Sequence, residues 1–483
     1  MQSKDQKMTR RTFMKQTATV AATTMAAPMF IPKSVFGAND RIRIAVLGVN
    51  GRGRNHIDSF MKLQDKNVIV TTLCDPDMEV LKKRGKEFEE KYQKKVNLVQ
   101  DLRRVFDDKK VDAVSIASTN HWHSLSTIWA CQAGKDVYVE KPMSHNVFEG
   151  RKAVEAARKY NRIVQHGTQQ RSSESRTNEI AAVQSGKYGK LLVSKGYASK
   201  PRWTIGYKAP KTPPAYLDFN LWLGPARDQP YHENLVHYNW HWFWDTGNGE
   251  IGNQGVHQMD IARWAIKGAT LPTKVWSLGG RYAYDDQGET ANTQMAVMEF
   301  GDVLLVFEVT GLVGKTSRYP GKVANEYYTT DGMIYEGKFY PKNGGAPQEL
   351  DKFETNIKPG ENFENFIYAM RTRKVEDLNA DVLEGHYSSA LCHLPNISLR
   401  LGQPMPFSKV PEGLLENEVV YDTFANLQKN LSWGNNLKLD ELTYQMGRVL
   451  TFDPVQEKFV DDEEANTHIS RPYRKPFVVS DLV

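Results

Sequence analysis

The sequence has little of what would make it a disulfide scaffold, a thiolate metal protein, a membrane-spanning chain or a nucleic-acid binder. Only three cysteines, Cys74, Cys131 and Cys392, occur in 483 residues. They are odd in number, far apart and never arranged as CxxC, which argues against a disulfide framework and a thiolate metal site. The one apolar stretch near the start, Ala18 to Pro32, is too short and too weak to span a bilayer stably. Charge of one sign is nearly absent from the body of the chain. Of the net +6, residues 1–38 hold +5, through Lys4, Lys7, Arg10, Arg11, Lys15 and Lys33 against Asp5. A nearly neutral remainder has no electrostatic reason to prefer nucleic acid. His121/His123 and His237/His241 are close pairs, but no convergent acid or thiol accompanies them, so no metal is expected. No internal repeat or low-complexity segment stands out. What is present is the composition of a soluble globular chain, 40% hydrophobic and 25% charged, with 21 Tyr and 10 Trp. Its length predicts more than one domain.

Residues 1–38 read as an address. Thr9-Arg10-Arg11-Thr12-Phe13-Met14-Lys15 precedes the apolar stretch, and small residues near Val35-Phe36-Gly37-Ala38 would suit a signal peptidase. The paired arginines, with Phe two residues after and Lys four after, resemble a twin-arginine translocation signal. The resemblance implies handling by the twin-arginine translocase, export of an already folded protein and a periplasmic location.

Residues 39–166 read as a dinucleotide-binding domain. Ile42 to Leu47 is an apolar, β-branched run of strand length. Gly48-Val49-Asn50-Gly51-Arg52-Gly53 follows at once, and a helical segment begins at Arg54. Strand, glycine turn and helix are the context that the dinucleotide fingerprint needs. Gly48 permits the tight turn, and Gly53 lets helix and strand pack closely. The helix N-terminus then offers N–H groups to the pyrophosphate. Asn50 stands where the pattern has glycine; Gly51 compensates, and Asn tolerates left-handed backbone angles. A second strand, Val68 to Cys74, ends at Asp75, an acceptor for the ribose hydroxyls that favours NAD over NADP, while Arg52 keeps NADP open. Asp75 could instead cap a helix. Further helices are predicted at 77–93, 124–133 and 147–159, and strands at 113–117, 136–140 and 163–166. The alternation predicts an α/β fold with a doubly wound parallel sheet, its crevice at the strands' C-terminal ends. Ser118-Thr119-Asn120-His121-Trp122-His123 and Glu140-Lys141-Pro142 fall at those ends.

These two clusters, together with Gly247-Asn248-Gly249-Glu250-Ile251-Gly252-Asn253-Gln254-Gly255-Val256-His257-Gln258-Met259-Asp260, resemble the glucose–fructose oxidoreductase, inositol dehydrogenase and rhizopine-catabolism (Gfo/Idh/MocA) family over roughly residues 40 to 400. The resemblance implies a second, α+β domain at 167–402 with a large, mostly antiparallel sheet. Strands read at 190–199, 274–284, 292–299 and 302–309 suit it, and its face implies a homo-oligomer, dimer or tetramer. It also implies oxidation or reduction of a secondary alcohol on a sugar or cyclitol with NAD, or NADP. Residues 403–483 read as a Pro-rich, extended C-terminal arm.

Such chemistry needs a base, a donor for developing alkoxide charge, and a carbinol carbon facing the nicotinamide. Lys141 is the candidate donor or proton relay, and His257 the general base, since imidazole titrates near working pH. Asn253 stands where the family has Asp; it accepts no proton but can hold Lys141 or a hydroxyl. Ser118, Asn120, His123, Glu140 and Gln169 are candidate cofactor contacts. Arg171, Trp240, His241 and Asp260 are candidate substrate contacts, with Asp260 alternatively orienting His257. Two rival readings stay open: an NAD-dependent glycosidase working through a transient ketone, and a non-catalytic sugar-binding protein.

Overall fold

A computed structural model describes residues 40–314, 318–411, 414 and 416–483; the export signal expected at residues 1–38 lies outside them. Six strands form the first sheet: β1 (Ile42–Leu47), β2 (Val68–Cys74), β3 (Asn97–Val99), β4 (Ala113–Ile116), β5 (Asp136–Val139) and β6 (Val164–His166). Their order is β3-β2-β1-β4-β5-β6 and every pairing is parallel. β1, β4 and β5 are buried almost throughout, because helices cover both faces of such a sheet, and their β-branched runs show no polar alternation. The strand order changes direction between β1 and β4, which opens a crevice above their C-terminal ends. The short edge strand β3 and the helix Leu102–Asp107 were not legible in the sequence; β3 has three residues, two of them exposed, and so no apolar pattern.

The helix Met78–Tyr92 begins on Asp77, whose Oδ1 accepts the Glu79 and Val80 N–H groups at 2.9 and 3.0 Å. That removes the capping alternative for Asp75. The helix Asn362–Thr372 returns from the second domain, and its Phe366, Ile367 and Met370 share a core with Ile44, Phe60 and Tyr138 of the first.

The second sheet is built on β7 (Leu191–Ser199), β8 (Lys274–Gly280), β9 (Thr293–Phe300), β10 (Val303–Thr310), β11 (Val323–Thr329), β12 (Gly332–Tyr335), β13 (Lys338–Pro341), β14 (Gln348–Glu349), β15 (Gln403–Pro406), β16 (Thr443–Met446), β17 (Leu450–Asp453) and β18 (Lys458–Phe459). All of its pairings are antiparallel except β7 with β10. The helices Val256–Ala265 and Val382–Arg400 pack against one face of it. The region expected to be an extended arm is partly regular: β15 and β16 extend the sheet beyond β8, and Glu418–Lys429 is a helix. Only its last stretch fits the expectation, crossing to the first domain where Phe477 and Val479 are buried beside Trp122. Pro404 and Pro406 within β15 hid an edge strand, where their missing N–H is tolerated.

Candidate active site

A cleft of about 400 Å³ runs along the C-terminal ends of β1, β2, β4 and β5 and is closed on its far side by residues of the second domain. Gly48, Asn50, Gly51, Arg52, Asp75, Ser118, Asn120, His123, Glu140 and Lys141 line it from the first domain, and Trp240, His241 and Asn253 from the second.

At one end the loop after β1 is shaped for close approach. Gly48 has φ +79°, and a Cβ there would lie 2.7 Å from the Ala117 carbonyl oxygen. A Cβ on Gly53 would lie 1.9 Å from the Gly48 carbonyl oxygen, so only glycine lets the helix Arg52–Met61 seat on the turn. No side chain caps that helix, leaving its first N–H groups for an anion. The loop is held from below. Asp75 Oδ2 accepts the Val49 N–H at 2.9 Å and Oδ1 the Asp77 N–H at 3.1 Å. Arg84, which gave no signal in the sequence, donates to the Val49 and Asn50 carbonyls at 2.9 and 2.7 Å. The Ser118 hydroxyl is buried in the wall without a partner among the described residues. A bare helix terminus, an acid at the end of β2 and an orphaned hydroxyl fit a dinucleotide. Arg52 donates to Glu140 Oε1 at 2.7 Å, so the cation that kept NADP open is already engaged.

Burial pushes the Asp75 carboxyl up to about 6, against the two N–H bonds that favour its ionised form. Ribose hydroxyls favour the carboxylate, so NAD affinity rises with pH through this value. Between pH 7 and pH 5 the affinity is expected to weaken about tenfold, with proton release on binding in calorimetry at pH 5. A flat profile across that range contradicts Asp75 as the ribose acceptor.

At the centre stands Lys141, directly after β5. Its Nζ donates to the Asn253 backbone oxygen at 2.5 Å and lies 3.5 Å from Asn253 Oδ1. Burial lowers its pKa, opposed by Glu140 and Glu250. Asn253 lies on a π-helical turn, Ile251–Gly255, that enters the helix Val256–Ala265. Glu140 does not reach toward substrate. Besides Arg52, its Oε1 meets His56 Nε2 at 2.9 Å, and its Oε2 accepts the Lys141 backbone N–H at 3.2 Å. Burial alone would raise its pKa, but the His56 bond and the charges of Arg52 and Lys141 hold it well below the usual range. It joins the glycine-loop helix to the lysine.

Several expected roles change. His257 is held neutral with a pKa of about 3, by burial first and by Lys141 second. Its ring makes no hydrogen bond among the described residues, stores no proton near neutrality, and stands behind the residues that line the cleft rather than among them. Of the two expected proton carriers, His257 is therefore the one that the structure holds neutral. Arg171 and Asp260 do not line the cleft and are engaged with each other. Arg171 Nε lies 3.0 Å from both Asp260 oxygens, its Nη2 is 3.0 Å from Glu384, and its guanidinium covers Trp264 at 4.9 Å. Asp260 also accepts the Ser388 hydroxyl, so it does not orient His257. Gln169 is exposed and does not line the cleft. The ring nitrogens of His123 face the Pro142 and Ser118 carbonyls at 2.6 and 2.9 Å, so this residue braces two strand-end loops rather than offering a nitrogen to the cofactor. Asn120 donates to Asn248 Oδ1 at 3.1 Å. His121 likewise spends its nitrogens near the Thr246 and Trp222 carbonyls. Among the described residues no group of three or more His, Cys, Asp or Glu stands together to hold a metal.

Trp240 and His241 do reach the cleft, stacked with ring centroids 3.6 Å apart. His241 Nδ1 contacts the Tyr238 carbonyl at 2.5 Å, and burial lowers its pKa to about 3.

A dinucleotide-shaped crevice joined to a partly buried lysine is the arrangement that nicotinamide-dependent oxidation chemistry needs. Two family models match: an oxidoreductase family NAD-binding Rossmann fold over residues 42–168, and that family's C-terminal alpha/beta domain over residues 183–430. The chain belongs to the Gfo/Idh/MocA oxidoreductase family and binds NAD through its first domain. It is 30% identical over 160 residues to glycosyl hydrolase family 109 protein 2 of Shewanella sp. (strain ANA-3), a match spanning 29% of this chain and 35% of that protein. It is 22% identical over 274 residues to inositol 2-dehydrogenase/D-chiro-inositol 3-dehydrogenase of Lacticaseibacillus casei, covering 54% of this chain and 75% of that one. The fold is shared with the WlbA dehydrogenase from Bordetella pertussis, solved with NADH and UDP-GlcNAcA, at TM-score 0.53 and 18% identity over 73% of this chain and 94% of that one.

Proposed function

We propose that the protein oxidises or reduces a secondary hydroxyl of a sugar or glycoside, retains NAD between turnovers, and works as an exported, periplasmic enzyme and homo-oligomer. The observation that carries this reading is the placement of Lys141 and Asn253 in one cleft with the glycine loop, Asp75 and the stacked Trp240–His241 pair.

Bound NAD supplies the acceptor, and in reverse the donor, of the carbinol hydrogen and its electron pair. The chain does the rest. Lys141, its pKa lowered by burial, exchanges the hydroxyl proton and stabilises developing charge on the oxygen. Asn253 fixes the Nζ position through its backbone oxygen. Trp240 and His241 offer apolar ring faces on which a pyranose can rest.

Retention is supported by the segment between β7 and the π-helical turn. It crosses the ribose end of the cleft: the Met78 N–H donates to the Tyr216 carbonyl at 2.9 Å, the Asp218 N–H to the Pro76 carbonyl at 3.0 Å, and His237 lies 3.1 Å from Asp77. Protein purified without added cofactor and then denatured is expected to release NAD in amounts approaching one per chain, with keto-sugar formed in single turnover. Release of no nucleotide contradicts retention.

The likeness to a glycosyl hydrolase family 109 protein favours a second reading. Oxidation to a ketone acidifies the adjacent C–H and allows the aglycone to be eliminated before water adds. Aglycone release without net reduction of NAD would select it.

A further inference from the structure

We propose that Glu250 is a positioning residue that, through Asn253, holds the Lys141 ammonium in the cleft and keeps it charged when no substrate is bound. This inference rests on the acid–base role given to Lys141 above.

Glu250 is 1% exposed and ends the glycine-rich segment before the π-helical turn. Its Oε2 accepts the Asn253 Nδ2–H at 3.2 Å. That bond turns the Asn253 Oδ1 atom toward the lysine, which it meets at 3.5 Å, while the same residue's backbone oxygen takes Nζ at 2.5 Å. Glu250, Asn253 and Lys141 thus form one chain in which an amide separates carboxylate from ammonium. The other side of Glu250 is closed by Arg202, with Nε–Oε2 at 2.9 Å and Nη2–Oε1 at 2.7 Å. Arg202 in turn donates to the hydroxyl of Tyr238, a cleft residue. A buried carboxylate with three donors has a fixed geometry, so what depends on it is fixed as well.

Other charges face Lys141. Glu140 favours its ammonium, whereas Arg52 and Lys200 oppose it. His257, His241 and His123 feel its charge, and all three have lowered pKa values with burial as the first cause. Glu140 is committed to Arg52, His56 and the Lys141 backbone. Glu250 is therefore the acid that acts on the lysine side chain through a hydrogen-bonded chain.

The test reads Lys141 itself. Competitive acetylation of the full chain across pH, quantified on the Lys141 peptide by mass spectrometry, gives the midpoint at which its amine becomes reactive. In Glu250→Gln the amide loses the charge, and the midpoint is expected to fall by about one pH unit. The corresponding limb of the kcat/KM profile moves with it. Glu250→Asp keeps the charge but draws it back by a methylene, and its midpoint is expected between those of wild type and Glu250→Gln. The double variant Glu250→Gln/Asn253→Asp returns a carboxylate one helical turn on, restores the midpoint, and serves as the readout if the single variant fails to fold. An unchanged midpoint in Glu250→Gln, or no restoration in the double variant, overturns the proposal. A midpoint that moves in a protein that oxidises no sugar keeps this electrostatic link and discards the sugar-oxidoreductase reading.

Discussion

Replacing Lys141 with Met is expected to lower kcat/KM by about 10²- to 10⁴-fold while NAD binding stays intact. The two effects separate because, among the described residues, the lysine's Nζ bonds only to Asn253, on the second domain. The glycine loop is secured elsewhere, by Asp75, Arg84 and the Arg52–Glu140–His56 cluster. Methionine keeps an unbranched apolar stem one atom shorter than lysine and loses the proton and charge, so packing changes little. Steady-state turnover together with a fluorescence titration of NAD reads both quantities. Activity within tenfold of wild type would remove Lys141 from the chemistry. A parallel loss of NAD affinity would make it a cofactor ligand instead.

Arg171→Ala is expected to cost about 3–5 kcal/mol of stability and to leave the KM of the variant that remains folded unchanged. Removing the guanidinium strands Asp260, which is 1% exposed and whose only other cation among the described residues, Arg263, lies 3.9 Å away. The pair joins the helix Val256–Ala265 to the short turn after β6, and Glu384 ties the helix Val382–Arg400 to the same point. Burial alone would raise the Asp260 pKa, but Arg171 holds it low, so its share of stability is present above the ordinary carboxylate range. That share disappears as pH falls through the depressed value. Denaturant unfolding at pH 7 and pH 3 reads this. A stable variant with a raised KM would return Arg171 to the substrate.

The parallel sheet was legible because each central strand is a short β-branched run set between strong turn signals. The helix Val147–Lys159 appears with the bounds read from its periodicity. β3 and β15 were not legible, since a three-residue edge and a four-residue strand with two prolines carry no apolar period. At the site, the sequence identified side chains but not their partners. Arg171 and Asp260 lie in the right region, yet only the tertiary structure reveals that they neutralise one another. His257 was read with the ordinary imidazole pKa, and burial, which sequence does not report, removes it from that range. Glu250 lay inside a motif already singled out, and its acid in an otherwise small and polar run was the available signal. Arg84 and His56 act through contacts 35 and 84 residues away in the chain and had none.

The most direct test of the account is the absorbance near 340 nm of protein purified without added cofactor, recorded before and after a panel of sugars and glycosides. A rise, bounded by the protein concentration, is expected with the substrate, and none in the Lys141→Met variant. A flat trace for every compound, with and without added NAD, would contradict it.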